Sequence, residues 1–252
     1  MDILRIDKLH KHFGGVMAVN RISLSVASGE RRAIIGPNGA GKTTLFNLIS
    51  GELAPSDGRV YFAGHDITNL TPDRRARLGM ARTFQRNNLF LGLSVWENVR
   101  LAGYPDKGIG LANLRSPHSV ASKVIQDSLE RVGLNERRDA IAHNLSYGEQ
   151  RQLEVAIALA TQPRILLLDE PAAGMSPAET NRLMSILREM PREITLLIIE
   201  HDMDVVFGLA ERVTVLHYGE VIADGAAEQV RNDPRVRQVY LGADKSAPAV
   251  WS

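Results

Sequence analysis

Short apolar runs alternate with other patterned stretches along much of the chain. Three of the apolar runs have the length of buried strands, at 32–35, 165–168 and 194–199. Three stretches interpreted as helices lie after such strands, at 42–49, 177–189 and 203–210. Buried strands that alternate with helices are typical of a mainly parallel sheet covered on both faces. The pattern therefore predicts an α/β fold.

The N-terminal and middle parts of the chain have different patterns. The N-terminal part contains strand-like stretches with turn residues behind them, most clearly at 58–64. From about 87 to 144, β-branched runs are scarce and helical patterns predominate. Within this part, 103–117 is rich in Gly, Asn and Pro. We interpret the middle part as a helical insertion that carries a loose surface segment.

Composition narrows the class of protein without identifying it. The 252 residues include 30 basic and 29 acidic side chains, and the formal charge of +1 gives no general basic field. Nucleic acid is therefore not expected as the main partner. The sequence has no cysteine, which excludes disulfides, thiolate metal sites and a cysteine nucleophile. The apolar runs are far shorter than the roughly 20 residues that span a bilayer, so we expect a soluble protein that reaches membranes through a partner.

The segment GPNGAGKT at 36–43 fits the phosphate-binding pattern G-x-x-x-x-G-K-[ST]. Its glycines let successive backbone N–H groups converge on phosphates, and the following helix points its positive end at the same charge. We expect Lys42 to reach the β- and γ-phosphates and the Thr43 hydroxyl to bind Mg²⁺. The predicted nucleotide-binding residues of this loop are Gly36, Pro37, Asn38, Gly39, Ala40, Gly41, Lys42, Thr43 and Thr44.

A second candidate group lies where an apolar strand ends. The segment ILLLDE at 165–170 closes with two adjacent carboxylates, Asp169 and Glu170. In an open parallel sheet, ligands gather at the carboxyl ends of the strands. Asp169 is therefore predicted to hold Mg²⁺ through water, and Glu170 is predicted to polarise the attacking water.

Upstream of that strand, the sequence at 145–150 reads LSYGEQ. Here the chain resembles the ABC ATPase family, whose signature reads LSGGQ, with departures at Tyr147 and Glu149. Ser146 and Glu149 also have the spacing of a helix capping box. A capped helix with Ser146 and Gly148 at its tip makes a second anion site. The signature residues are Leu145, Ser146, Tyr147, Gly148 and Glu149.

The resemblance implies a dimer and further site residues. In this family the signature binds the γ-phosphate held by the other subunit, so ATP joins two subunits head to tail, as a homodimer or as a heterodimer with a second ABC ATPase. Gln85 matches the coupling glutamine and is an expected Mg²⁺ ligand. His201 matches the histidine at the γ-phosphate, and Phe13 takes the position of the adenine-stacking aromatic. The expected catalytic residues are Lys42, Gln85, Glu170 and His201.

The resemblance spans nearly the whole chain and looks closest to the ATPase subunits of branched-chain amino acid importers. Among the stretches that carry it are ARTFQ at 81–85 and the ending at 230–242. It implies a P-loop NTPase (RecA-like) core with a mainly parallel sheet, an N-terminal antiparallel β subdomain and an inserted helical subdomain. The expected boundaries are 1–85 and 160–235 for the core, about 86–159 for the helical insertion, and 236–252 for the C-terminal tail.

The same resemblance implies ATP and Mg²⁺ as cofactors and integral-membrane permease subunits as partners. A periplasmic or extracellular binding protein would act indirectly, and the chain would lie peripherally on the cytoplasmic face of the cell (inner) membrane. Urea import and lipopolysaccharide export use related cassettes and stay open as alternatives. A chromosome-type ABC ATPase would need a long coiled-coil insertion, a ribosome-associated factor would need a second cassette, and a P-loop kinase would not need the signature.

An apolar cluster follows Gln85 at the junction between core and insertion, at Leu89, Phe90, Leu91 and Leu93. We expect these residues to help form a groove for a short permease helix, the helix-in-groove mode of recognition. The alternative is that the cluster packs inside the insertion.

Overall fold

The computed structural model describes residues 1–83, 89–102 and 120–243 of the chain. This part contains ten strands: β1 (Asp2–Phe13), β2 (Val16–Ala27), β3 (Arg31–Ile35), β4 (Asp57–Phe62), β5 (His65–Asp66), β6 (Met80–Arg82), β7 (Ile165–Asp169), β8 (Thr195–Ile199), β9 (Arg212–His217) and β10 (Glu220–Ala226). Its helices are α1 (Lys42–Ser50), α2 (Pro72–Arg77), α3 (Val95–Ala102), α4 (Val120–Arg131), α5 (Tyr147–Ala160), α6 (Pro177–Arg188), α7 (Met203–Leu209), α8 (Ala227–Arg231) and α9 (Pro234–Ala243).

The strands form two sheets of different type. The larger sheet has the order β10-β9-β3-β8-β7-β6. Its five strands from β9 to β6 pair in parallel, whereas the edge strand β10 is antiparallel to β9. The smaller sheet has the order β2-β1-β4-β5 and is antiparallel. The predicted mainly parallel core sheet and the N-terminal antiparallel subdomain are therefore confirmed.

The alternating side chains of β7 explain why both faces of the larger sheet are covered. Leu166 and Leu168 face a cluster built with helices α3 to α6, while Ile165 and Leu167 face α1 and the smaller sheet. All four side chains are fully buried. Burying an aliphatic side chain of this size contributes roughly 1.5–3 kcal/mol. A strand buried on both faces needs apolar residues at every position, which is why the sequence pattern is a continuous run.

The predicted long elements are present, and the structure adds short ones that the pattern did not reveal. Strands β5 and β6 and helices α2 and α8 are two to six residues long, too short for a periodicity to be recognised. Helix α9 begins at Pro234, two residues before the expected start of the C-terminal tail, and its Val236 is buried in a cluster with Ala33 and Val213 of the sheet. The core, insertion and tail boundaries stay predictions, and the segment 103–117 lies outside the described residues.

A buried arginine on α2 closes the C-terminal end of α1. Arg75 is 1% exposed, and burial lowers the pKa of its guanidinium to about 10. The guanidinium donates hydrogen bonds to backbone carbonyl oxygens of α1 and of the segment before α2: Leu48 (2.8 Å), Ile49 (2.6 Å), Thr68 (2.9 Å) and Leu70 (2.9 Å). Carbonyl groups at the end of a helix lack intrahelical partners, so Arg75 supplies the donors they need.

We expect Arg75→Met to destabilise the fold strongly. Each buried carbonyl left without a donor costs about 1–3 kcal/mol, so the free energy of unfolding should fall by at least about 3 kcal/mol. Arg74→Met, at an exposed position of the same helix, should change it by less than about 0.5 kcal/mol. Urea unfolding of both variants measures this, and equal losses would contradict the role given to Arg75.

Candidate functional site

The phosphate-loop sequence connects β3 to α1, and glycine is required at both of its ends. Gly41, the residue before α1, has φ of +101°. A Cβ atom there would clash with the carbonyl oxygen of Ala18 on β2. Gly36 has φ of +153°, and a Cβ atom there would clash with the carbonyl oxygen of Leu216 on β9. The loop is therefore pressed against two neighbouring strands in a backbone conformation that L side chains do not fit.

Lys42 is the first residue of α1, and its ammonium group turns back over the loop. Its Nζ atom donates to the carbonyl oxygens of Gly36 (2.6 Å) and Pro37 (3.1 Å). Burial lowers the pKa of Lys42, whereas the charges of Glu170 and Asp169 raise it. Lys42 is thus held inside the loop, near the carboxylates of Asp169, which ends β7, and of Glu170, which follows it.

Asp169 ends β7 and is 2% exposed. Its Oδ2 atom accepts a hydrogen bond of 3.0 Å from Nη2 of Arg82, and its Oδ1 atom is buried with no hydrogen-bond partner among the described residues. Burial raises the pKa of Asp169, and the Arg82 charge opposes that rise. Arg82 also donates to Asn47 Oδ1 (2.7 Å) and Ser50 Oγ (2.9 Å) on α1. This arginine therefore fixes the end of β7 relative to α1 and leaves one carboxylate oxygen available.

Glu170 follows in the left-handed region, with φ of +48°. Its backbone N–H donates to the carbonyl oxygen of Ile199 at the end of β8 (2.9 Å). A non-glycine residue in this conformation is strained, and such strain is concentrated at functional sites. His201 lies beyond β8, 64% exposed, with Nδ1 at 3.9 Å from Glu170 Oε1. The ends of two neighbouring strands therefore bring an acid and a histidine together.

Glu200 holds the two loops in this arrangement. It is 1% exposed, and burial raises the pKa of its carboxyl group. Its oxygens accept hydrogen bonds from the backbone N–H groups of Ala172 (3.0 Å) and His201 (3.1 Å). Glu200 thus links the loop after β7 to the loop after β8, which sets the distance between Glu170 and His201.

The signature residues lie at the start of α5. Ser146 is the N-cap: its Oγ accepts from the Glu149 N–H, and the Glu149 carboxylate accepts from the Ser146 N–H (2.9 Å). The capping box expected from the sequence is therefore present. The Gly148 N–H donates to Glu179 Oε1 on α6 (2.9 Å). The N-terminal end of α5 thus faces α6 within its own chain.

Tyr147, where the family signature has glycine, packs against the loop after β7. Its hydroxyl group donates to the carbonyl oxygen of Ala173 (3.1 Å) and accepts from Nη2 of Arg151 (2.8 Å). Its ring also lies against Gly174. Ser176 caps α6 in a second capping box with Glu179. Tyr147, one of the two departures from the family signature, therefore lies at the contact between the signature and the 173–179 segment.

Two family models match the sequence. The model described as ABC transporter matches residues 19–173, and the model described as branched-chain amino acid ATP-binding cassette transporter matches residues 220–246. LivG of Escherichia coli (strain K12), a high-affinity branched-chain amino acid transport ATP-binding protein, is 40% identical over 249 residues, which cover 95% of this chain and 98% of LivG. This chain belongs to the ABC transporter family. It is an ATPase.

Solved structures of ATP-binding cassettes have the same fold as this ABC ATPase. The ADP conformation of MJ1267, a cassette of an ABC transporter, matches with a TM-score of 0.84 and 34% identity, over 96% of this chain and 99% of that chain. A dimeric post-hydrolysis state of the cassette MJ0796, bound to ADP and Pi, matches with a TM-score of 0.74 and 25% identity, over 89% of this chain and 98% of that chain.

Two further residues were expected in the site of the ABC ATPase, Phe13 and Gln85, and the structure describes only the first of them. Phe13 ends β1 and is 49% exposed, with Lys11 Nζ at 5.3 Å from its ring centre. Gln85 lies outside the described residues. Arg82 and Glu200 were not predicted as site residues. Arg82 contacts Asp169 across two strands, and Glu200 joins the loops after β7 and β8. Neither contact can be recognised in the sequence, because the partners lie far apart in it.

We expect Lys42→Ala to weaken nucleotide binding by the ABC ATPase. An ion contact at about 4 Å contributes roughly up to 4 kcal/mol near a protein surface. Affinity for a fluorescent ATP analogue should therefore fall at least tenfold, a change of about 1.4 kcal/mol. Lys123→Ala, at an exposed position of α4, should leave it unchanged. Retention of full affinity by the Lys42 variant would remove Lys42 from the phosphate site.

Proposed function

We propose that this ABC ATPase binds and hydrolyses Mg²⁺–ATP as one half of a dimer and powers the import of branched-chain amino acids through permease subunits. The observation that carries the catalytic part is that Lys42 lies near the charges of Asp169 and Glu170, and that Nδ1 of His201 lies 3.9 Å from Oε1 of Glu170. The branched-chain family model at 220–246 and the similarity to LivG support the amino acid cargo.

The phosphate loop would hold the nucleotide through its backbone N–H groups and the start of α1. The ammonium group of Lys42 now bonds to two carbonyl oxygens of the phosphate loop, those of Gly36 and Pro37. It would leave them and bind the β- and γ-phosphates when the loop holds a nucleotide. Phe13, half-exposed at the end of β1, would stack on the adenine. The proposed ATP-binding residues are Phe13, Gly36, Pro37, Asn38, Gly39, Ala40, Gly41, Lys42, Thr43 and Thr44.

The residues present fit Mg²⁺ as the cofactor. Mg²⁺ in such sites binds protein oxygens together with phosphate oxygens and several waters. The exposed Thr43 supplies a hydroxyl oxygen, and the unpartnered Oδ1 atom of Asp169 would hold the ion through water. Gln85 is the third proposed ligand. When bound, the ion neutralises charge that develops on the transferred phosphoryl group.

Glu170 would act as the general base. It is partly exposed, so water can approach it, and it directly follows Asp169, the proposed metal carboxylate. His201 would contact the γ-phosphate from the neighbouring strand end. The strained backbone of Glu170 and the Glu200 contacts support a fixed orientation of both groups.

The signature would complete the site of the other subunit. The hydrogen bonds of Ser146, Tyr147 and Gly148 to other elements run to the loop after β7 and to α6. This supports a role for 145–149 in a second copy or a related ATPase, as does the dimer of the similar cassette MJ0796.

A permease would dock beside the insertion. Phe90 and Leu91 are 60% and 48% exposed, whereas Leu89 is partly buried against the helical core cluster. Asn98 on α3, 2% exposed, fixes this loop through hydrogen bonds with the N–H (2.9 Å) and the carbonyl oxygen (3.0 Å) of Phe90. A largely apolar cavity of about 370 Å³ opens between α2, β6 and α5. Together these features support helix-in-groove docking.

In this assembly the chain would lie peripherally on the cytoplasmic face of the cell membrane, with a binding protein acting through the permease. No helix within the described ranges is both long and apolar enough to cross a membrane. Urea import and lipopolysaccharide export are the alternative transport functions, and an uptake assay separates them from amino acid import.

We expect Glu170→Gln to keep ATP binding and lose hydrolysis. Loss of a general base removes about 10²–10⁴ in rate, and ATP that is not hydrolysed should hold the dimer together. Phosphate release and size-exclusion chromatography with ATP measure the two effects. Hydrolysis at the wild-type rate would eliminate Glu170 as the base.

We expect Phe90→Glu to abolish leucine uptake and co-purification with membrane permeases in cells where the variant replaces the native chain. The reason is that a charge on this exposed apolar surface must be desolvated when the permease helix binds. The soluble variant should keep its melting temperature and basal ATPase rate, and Phe90→Leu should retain uptake. A Phe90→Glu variant that still takes up leucine places the docking surface elsewhere.

A further inference from the structure

Glu179 on α6 connects two capping boxes. Its Oε2 atom accepts hydrogen bonds from the N–H (3.0 Å) and the hydroxyl group (2.8 Å) of Ser176, the N-cap of its own helix. Its Oε1 atom accepts hydrogen bonds from the Gly148 N–H (2.9 Å) and the Ser146 hydroxyl group (3.3 Å) at the start of α5. One carboxylate therefore caps α6 with one oxygen and occupies the signature with the other.

The donors that Glu179 uses are those of the proposed phosphate site. Ser146 Oγ and the Gly148 N–H lie at the positive end of α5, where an anion is stabilised. Hydrogen bonds from Ser176, and then from Gly148, lower the pKa of the Glu179 carboxyl group, so it is an anion at neutral pH. Contact is close, because a Cβ atom at Gly148 would lie 2.6 Å from Glu179 Oε1.

We propose that Glu179 is an internal anion that occupies the signature and is displaced by the γ-phosphate of the partner's ATP. The inference rests on the proposed dimeric function. A phosphate oxygen and Oε1 of Glu179 require the same N–H group, and two anions at that distance repel each other. Glu179 thereby sets how much ATP is needed before two subunits associate.

The second oxygen allows this exchange without loss of the fold. When Oε1 leaves Gly148, Oε2 still bonds to Ser176, so the N-terminus of α6 stays capped. The side chain is only half-buried, so the released oxygen can turn to solvent.

The test uses Glu170→Gln protein, in which ATP-driven association is measured without turnover. In that background, Glu179→Ala removes the internal anion and Glu179→Gln neutralises it while preserving hydrogen-bonding groups for Ser176. Glu189→Gln removes the same charge from the far end of α6 and serves as the control. Analytical ultracentrifugation over an ATP titration gives the midpoint for dimerisation, and a fluorescent ATP analogue gives the affinity of the subunit's own phosphate loop.

We expect both Glu179 variants to dimerise with at least about twofold less ATP, the scale of a charge effect at an exposed helix N-terminus. The nucleotide affinity of the subunit's own loop should not change, because Glu179 faces the signature that serves the partner, and Glu189→Gln should leave the midpoint unchanged. A Glu179→Gln midpoint that stays the same or rises overturns the inference and makes Glu179 a capping residue only. If Glu179→Ala lowers the melting temperature, the dimerisation midpoint of Glu179→Gln alone decides the outcome. Failure of Glu170→Gln itself to dimerise contradicts the proposed dimer instead.

Discussion

The buried ion pair between Arg82 and Asp169 is the constraint on which the site geometry depends. Both side chains are largely buried, at 9% and 2% exposed, and removing either partner would leave an uncompensated charge, which typically costs about 3–5 kcal/mol. The pair joins β6 to β7, and its second set of hydrogen bonds reaches Asn47 and Ser50 on α1. The proposed metal carboxylate and the helix that begins at the phosphate loop therefore cannot move independently.

The remaining proposed catalytic groups, Glu170 and His201, are positioned from that fixed point by backbone contacts. Asp169 ends β7, and the next N–H group, that of Glu170, bonds to the carbonyl oxygen of Ile199 on β8. Glu200 then holds both following loops through their N–H groups. The strained conformation of Glu170 persists because the residues on either side of it are held in this way.

Features with a local physical cause could be predicted from the sequence, and features that depend on distant partners could not. The apolar run at 165–168 identified β7 because both faces of that strand are buried, and the capping box at Ser146 follows from spacing alone. The contacts of Arg82, Glu200 and Glu179 join residues 28 to 87 positions apart, and no periodicity encodes such pairs. Tyr147 is a departure from the family signature in the sequence, and its contacts with Ala173, Gly174 and Arg151 in the structure give it a structural role.

The segment from Glu170 to Glu179 would connect the two ATP sites of the proposed dimer. Its first residue serves the ATP bound to its own subunit, while its contacts through Tyr147 and Glu179 hold the signature that serves the partner's ATP. A movement of this loop at one ATP site therefore acts on the N-terminus of α5 at the other, through two side chains of the same subunit. Coupling of this kind requires a segment with two discrete arrangements, and Glu179 supplies them. In the first arrangement its carboxylate bonds to α5 through Oε1 and to α6 through Oε2. In the second, which the proposal adds, it bonds to α6 alone.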